Sequence, residues 1–288
     1  MQDALILRFI DERGVDSGGV SRDVYSAFWI ELFEGSAQGC NQRVPCIRND
    51  MGWKDWEAVG RVLAKGFVDH GFFPVHLCKA FVMACLDGPD SVSEDILVTS
   101  FMDYISDDDR DCLKKALSNM EEMDDEEYDE LLDVLSRYRC RTVPSKGTVL
   151  KVVATVAHKE LIQKPKYIID ACSQSFHFIR AKGITSATDL HSLYDKLTPT
   201  AKKFIKLVKA SPTAQSQTDA LEYFKQYIRC VEQTTLEKLV RFCTGSTVLC
   251  FDKLEIQFTK CDGFSRQPVA LTCGPTLQLE WTHTNIIY

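Results

Sequence analysis

The chain has 288 residues, of which 45% are hydrophobic and 26% charged, and a formal net charge of -7. This length accommodates one large domain or two lobes, and the composition is that of a globular protein with a sizeable core. The negative charge disfavours a nucleic-acid partner, because no global basic field is available to hold a phosphate backbone. No stretch approaches the roughly 18 consecutive apolar residues that span a bilayer, and the first residues lack the pattern of a secretion signal. We therefore expect no membrane partner and a location in the cytoplasm or nucleus.

The first half of the chain predicts one strand followed by a series of helices. Residues 5–10 are apolar and typical of a strand, and the glycine-rich residues 14–19 end it in a turn. Ser21 is expected to cap a helix that ends near Phe33, with a loop over residues 34–51. Helical spacing then predicts further helices over residues 56–67, 77–86, 94–105, from 107 onward, and 128–138. Ser93 and Ser106 are expected to cap the third and fourth of these, and the acidic residues 124–127 are expected to start the last, where the helix dipole favours negative charge.

The second half predicts more helices and then short strands. The helices cover residues 151–161 and 165–181, and Thr198-Pro199 is expected to cap a third over residues 201–209. Residues 211–217 are small, polar and uncharged, which is typical of a linker. The remaining pattern predicts helices over residues 219–231 and 235–242, and strands over residues 247–251, 254–258 and 277–279. The fold class predicted is α+β.

The chain carries 12 cysteines at irregular spacing. No C-x-x-C pair occurs, which disfavours a structural zinc site, and we expect no metal and no cofactor. In a reducing compartment most of these thiols are expected to be reduced and to behave as small apolar residues. The question is whether one of them differs from the rest.

Four short segments follow one another along the chain. They are Gly14 to Asp23, similar to G-x-D-x-G-G-x-x-R-E; Gly60 to Gly66, similar to a glycine-containing helix; Arg241 to Ser246, similar to an F-x-T-G-S turn; and Pro268 to Cys273, similar to P-x-A-x-T-C, followed by Leu277 and Leu279. Taken in this order, the segments resemble the HECT-type E3 ubiquitin ligases, in particular divergent members known from vertebrates and especially fish. The resemblance runs from about Leu5 to Leu279 and is poorest over residues 119–175, where the family binds its conjugating enzyme, so no binding residues are transferred there.

The resemblance implies a bilobal fold and a thioester mechanism. A mostly helical N-lobe over residues 1–210 would bind the ubiquitin-conjugating enzyme (E2), and a hinge over 211–217 would join it to a smaller mixed C-lobe over 218–288. Cys273 would accept ubiquitin as a thioester and pass it to a lysine of a protein substrate. Gly274 leaves room for the incoming chain, and Thr272 is a candidate hydrogen-bond donor near the reacting carbonyl. The implied partners are E2, ubiquitin and the substrate protein.

Departures from the family leave other functions open. Leu279 is followed by Glu280-Trp281 instead of Leu-Pro. Relative to the family, we expect the first helices and a C-terminal tail to be missing, so that loading of Cys273 would survive better than transfer to lysine.

One alternative function is that of a catalytically degenerate scaffold that binds ubiquitin or E2. The other is a cysteine hydrolase, which needs a base and an orienting carboxylate or amide, and none of the six histidines stands in a recognisable motif for it. For Cys273 itself, His283 lies close in sequence and is a candidate base, although the resembled motif supplies none.

Overall fold

The computed structural model describes residues 18–260 and 267–281. The predicted strand over residues 5–10 and the candidate base His283 lie outside the described residues. The helices are α1 (Gly19–Ser36), α2 (Trp53–His70), α3 (Lys79–Asp87), α4 (Glu94–Tyr104), α5 (Asp107–Asn119), α6 (Asp125–Arg137), α7 (Val149–His158), α8 (Lys166–Ser173), α9 (His177–Ala181), α10 (Ala187–Leu197), α11 (Ala201–Leu207), α12 (Gln215–Cys230) and α13 (Gln233–Thr244). The strands are β1 (Ala37–Gln38), β2 (Val44–Pro45), β3 (Val208–Lys209), β4 (Leu254–Thr259), β5 (Val269–Leu271) and β6 (Thr276–Glu280).

The starts of α4, α5 and α6 agree with prediction, and each depends on a local hydrogen bond. The hydroxyl of Ser93 accepts a hydrogen bond from the backbone N–H of Ile96 at the start of α4. Ser106 caps α5 in the same way. The Asp124 carboxylate accepts a hydrogen bond from the Glu127 N–H, and the Glu127 carboxylate accepts one from the Asp124 N–H, which completes a capping box at the start of α6. These caps work over three residues and are therefore visible in the sequence.

The predicted start of α1 is wrong. The helix begins at Gly19, and Ser21 lies buried in its first turn instead of capping it. Gly18 adopts a φ of +103°, a backbone conformation that side chains disfavour, and its carbonyl accepts the hydrogen bond of the Arg22 N–H. The predicted loop over residues 34–51 contains the end of α1 and the antiparallel pair of β1 and β2.

The predicted cap of α11 is also wrong. Thr200, not Thr198, accepts the hydrogen bond of the Lys203 N–H. The Thr198 hydroxyl instead donates to the carbonyl of Tyr194, 2.7 Å away. The helix is shorter than predicted, because residues 208–209 leave it to form β3.

Residues 247–251 do not form the predicted strand. The Ser246 hydroxyl accepts a hydrogen bond from the Val248 N–H, and the Cys250 N–H donates a hydrogen bond to the Val248 carbonyl. These local bonds curl the backbone and replace the ladder that a strand would need. The predicted strands over 254–258 and 277–279 are confirmed as β4 and β6, whose ends differ from the prediction by at most one residue.

The described residues divide into two compact units. The first contains residues 18–30, 65–74, 191–260 and 267–281, and the second contains 31–64 and 75–190. Residues 211–217, predicted as a hinge, lie within the first unit, and the last three begin α12. Their role as a hinge stays a prediction.

The first unit is built on a four-stranded sheet with the order β3-β4-β6-β5. β3, β4 and β6 are parallel, and β5 pairs antiparallel with β6. The apolar faces of the amphipathic helices α12 and α13 share a buried core with this sheet. Its fully buried members are Phe204, Ile228, Val240, Cys243 and Leu254.

The second unit is helical apart from β1 and β2. Helix α3 is buried along residues 80–86 and packs against α4 and α8. Gly60 of α2 lets α8 approach, since a β-carbon there would lie 2.7 Å from the Cys172 carbonyl oxygen. The Cys172 thiol donates to the carbonyl of Trp56, whose side chain is fully buried. Burial of each large apolar side chain of this kind stabilises the unit by roughly 1.5–3 kcal/mol.

The α+β class is as predicted, with helices predominating and only small sheets. Across residues 18–260 and 267–281, no helix combines the length and the apolar composition that a membrane crossing requires.

Candidate functional site

Cys273 lies in the turn of a β-hairpin. Residues 272–275 connect β5 to β6, whose last paired residues are Leu271 and Thr276. Cys273 is exposed, and residues 272–275 form the turn that was predicted from Gly274 and Pro275. The Thr276 hydroxyl donates to the Gly274 carbonyl, 2.7 Å away, and the Glu255 N–H donates to the Pro275 carbonyl. The second half of the loop is therefore tied to β6 and β4.

The first half of the loop is held by the start of α1. The Arg22 guanidinium donates from Nη2 to the Thr272 carbonyl oxygen at 2.7 Å. Gly19 lies against the same peptide group: a β-carbon there would be 2.5 Å from the Thr272 carbonyl carbon and 2.6 Å from the Cys273 nitrogen. Only glycine fits at this position without displacing backbone.

The turn after α13 belongs to the same cluster. Arg22 Nε donates to the Thr244 carbonyl at 3.0 Å, so one guanidinium bonds two separate segments. The fully buried Ser26 hydroxyl lies 3.1 Å from the Gly245 carbonyl and accepts from the Thr247 N–H at 3.1 Å. The described residues of three of the four segments that resemble the family, residues 18–23, 241–246 and 268–273, are therefore brought together in the first unit.

An open cleft lies beside Thr272. The Arg241 guanidinium and the Asp23 carboxylate, 2.8 Å apart, form an ion pair at its edge. The aromatic ring of Phe242, 47% exposed, adds apolar surface. The cleft has a volume of about 480 Å³ and is lined by Val20, Asp23, Lys238, Arg241, Phe242, Gly245 and Thr272.

The residues predicted to support Cys273 have different surroundings. Gly274 faces open space, since a β-carbon there would meet no atom within 4 Å. Thr272 is half-buried, and its carbonyl oxygen is the acceptor of the Arg22 bond. Its proposed role as a donor to a reacting carbonyl stays a prediction. Gly66, in the segment that resembles the glycine-containing helix, packs against the ring of Tyr25, whose nearest atom would lie 3.1 Å from a β-carbon at this position.

Other thiols in the described part of the chain differ from Cys273 in burial. Burial raises the pKa of Cys78 to about 11 and the pKa of Cys243 to about 12. Burial also raises the pKa of Cys172 to about 12 and that of Cys112 to about 11. A buried thiol of this kind holds its proton and is a poor nucleophile.

The pattern of thiol reactivity follows from this contrast. We expect iodoacetamide to alkylate the exposed Cys40, Cys230 and Cys273 in the native protein, and to leave Cys78 and Cys243 unmodified. With a pKa of about 11, roughly one Cys78 thiol in a thousand is ionised at about pH 8, and burial excludes the reagent as well. Peptide mass spectrometry after timed alkylation measures each site. A denatured control should alkylate all 12 cysteines, and rapid native labelling of Cys243 would contradict the burial.

Two residues of the cluster were given no role by the sequence motifs. Arg22 and Ser26 are both buried polar residues on α1. Their i, i+4 spacing places them on one face of the helix, which was a usable signal. Their acceptors, however, lie more than 200 positions away in the chain.

Neither a protein-family model nor a curated protein matches the chain. Within residues 18–260 and 267–281, no group of His, Cys, Asp and Glu side chains is arranged to hold a metal ion.

Proposed function

We propose that this chain is a HECT-like E3 ubiquitin-protein ligase in which Cys273 carries ubiquitin as a thioester. The observation that carries the proposal is the cluster around this thiol. Cys273 is exposed at a hairpin turn, and Gly19 of the first motif segment packs against that turn. Arg22 of the same segment donates hydrogen bonds both to the turn and to Thr244 of the third motif segment. The proposal includes the bilobal arrangement, with an E2-binding N-lobe over residues 1–210, a hinge over 211–217 and a C-lobe over 218–288.

The first chemical step is a thioester exchange. The Cys273 thiolate attacks the carbonyl carbon of the terminal glycine of ubiquitin, which is joined to the cysteine of the conjugating enzyme. A new C–S bond forms to Cys273, the old C–S bond breaks, and the E2 cysteine leaves as a thiolate. One thioester replaces another, so no outside energy source is needed.

The second step makes the final bond. A lysine amine of the substrate protein attacks the same carbonyl carbon, the C–S bond to Cys273 breaks, and the amine gives up a proton. The products are an isopeptide bond and the free Cys273 thiolate. Both steps need a thiol that large partners can reach, which the exposed loop and the open space at Gly274 support.

A single-turnover assay tests the proposal. The chain is mixed with a panel of E2 enzymes already charged with ubiquitin, and the products are separated on a non-reducing gel with and without thiol reductant. We expect a ubiquitin adduct of the chain that reductant removes, because thiols exchange with thioesters. An E2 carrying no ubiquitin is the control and should give no adduct.

The competing function is a degenerate scaffold that binds ubiquitin or E2 without accepting ubiquitin. It predicts a complex with charged E2, measurable by analytical ultracentrifugation, and no adduct with any E2 of the panel. That outcome would remove the ligase proposal for this chain.

A further inference from the structure

Arg22 connects two segments that are far apart in sequence. Its Nη2 donates to the Thr272 carbonyl oxygen at 2.7 Å and its Nε to the Thr244 carbonyl oxygen at 3.0 Å. Arg22 is 9% exposed, and Thr244, which carries one of its two acceptors, is fully buried. A charged group this far from water is costly unless its donors are satisfied, so these two bonds stabilise the position of the guanidinium.

The shape of the side chain suits this task. Arginine presents its N–H groups in a rigid planar fork, so two of them can point at two separate acceptors. A lysine ammonium concentrates its donors on one atom and on a flexible stem. The two carbonyl oxygens around Arg22 thus match a guanidinium and not a general positive charge.

The Thr272 carbonyl belongs to the peptide group that leads into Cys273. A hydrogen bond to its oxygen fixes the plane of that peptide, and Gly19 packs against its other atoms. The orientation of the Cys273 N–Cα bond, and with it the direction of the sulfur, depends on this plane. The guanidinium also places a positive charge close to the loop. Burial raises the pKa of the Cys250 thiol, and the charge of Arg22 acts against that rise.

We propose that Arg22 is a positioning residue for Cys273: its guanidinium, bridging the Thr272 and Thr244 carbonyls, orients the loop so that the sulfur is presented for attack. This rests on the proposed function for its consequence in ubiquitin transfer, while the effect on thiol reactivity is independent of it. Arg22 acts through the backbone of the loop and contacts no reacting atom in this role.

Thiol alkylation tests the inference without any ubiquitin reagent. In Arg22→Gln, the rate of Cys273 alkylation by iodoacetamide, relative to Cys40 and Cys230 of the same molecule, should fall about threefold or more, since the loop loses the hydrogen bond that fixes the peptide group before Cys273. Cys78 and Cys243 should stay protected, which reports that the fold is intact. Arg48→Gln is the matched control, because the Arg48 guanidinium also binds a main-chain carbonyl, that of Gly35, but in the second unit. Its relative Cys273 rate should equal that of the wild type.

Arg22→Lys keeps the charge and serves if Arg22→Gln fails to fold. We expect it to fold and still to lose Cys273 reactivity, because the ammonium lacks the planar fork. If Cys273 in either folded variant is alkylated as fast as in the wild type, or faster, relative to Cys40 and Cys230, the inference is overturned.

The single-turnover assay gives the second readout. In Arg22→Lys, the maximal rate of thioester formation should fall about tenfold or more at an unchanged half-saturating E2 concentration, as expected when a reacting group is misplaced. If the wild type forms no thioester but alkylation slows as stated, the proposed function fails and the positioning role stands. If the wild type forms the thioester and both readouts are unchanged in the variants, the proposed function stands and the positioning role fails.

Discussion

Alanine in place of Cys273 is expected to abolish the reductant-sensitive ubiquitin adduct, with the single-turnover rate falling by at least about a thousandfold. The substitution removes the only atom of the loop that can form a thioester. Because Cys273 is exposed, the free energy of unfolding should change by less than about 0.5 kcal/mol. The assay with charged E2 measures the first effect and urea denaturation measures the second.

Cys230→Ala is the matched control, since this cysteine is also exposed and lies at the end of α12. It should form the adduct at the wild-type rate. An adduct that persists in Cys273→Ala, or that is lost to the same extent in Cys230→Ala, would contradict the assignment of the nucleophile. An adduct that survives reductant would instead indicate an amide bond to a lysine.

The sequence predicted best those features that arise from neighbouring residues. The caps at Ser93 and Ser106 each join a side chain to a backbone N–H in the next turn, so their information is local. The acidic residues 124–127 likewise open α6, where the helix dipole favours negative charge. The turn at Cys273 belongs to this group, because Gly274 and Pro275 disfavour continuation of a strand.

Tertiary contacts decided the features that the sequence missed. α1 begins before Ser21 because the Gly19 backbone packs against the Thr272–Cys273 peptide, which lies some 250 positions further along the chain. Residues 247–251 are β-prone, but the Ser246 hydroxyl and the Leu197 carbonyl take up their N–H groups. β-propensity describes side-chain fit to a sheet and yields to such competing bonds.

The candidate site divides along the same line. The choice of Cys273 and the prediction that it lies in a turn come from a short motif and its neighbours Gly274 and Pro275, and the order of the motif segments is read directly from the sequence. The bridging role of Arg22 does not, because its two acceptors are backbone oxygens 222 and 250 positions away. A carbonyl acceptor leaves no signature in the identity of the residue that carries it, since every residue has one.

Alanine in place of Gly245 is expected to lower the free energy of unfolding by about 2–4 kcal/mol. Gly245 ends α13 in the left-handed conformation, with a φ of +76°, and its N–H donates to the Arg241 carbonyl at 2.7 Å. A β-carbon there would be strained by this backbone and would also lie 2.5 Å from the Gly19 carbonyl oxygen. Because the obstacle is backbone, it cannot rotate away, and the start of α1 must shift.

Gly71→Ala separates the two causes of this loss. Gly71 also follows a helix, α2, with a φ of +64° and an N–H that donates to the Phe67 carbonyl, but a β-carbon there would meet no atom within 4 Å. Its loss should be limited to the conformational strain of about 1 kcal/mol. Urea denaturation of both variants measures the difference, which is the cost of separating α1 from the turn after α13. Equal losses would mean that this contact contributes nothing. A larger loss in Gly245→Ala should be accompanied by slower thioester formation, because a displaced α1 carries Arg22 away from the Thr272 carbonyl.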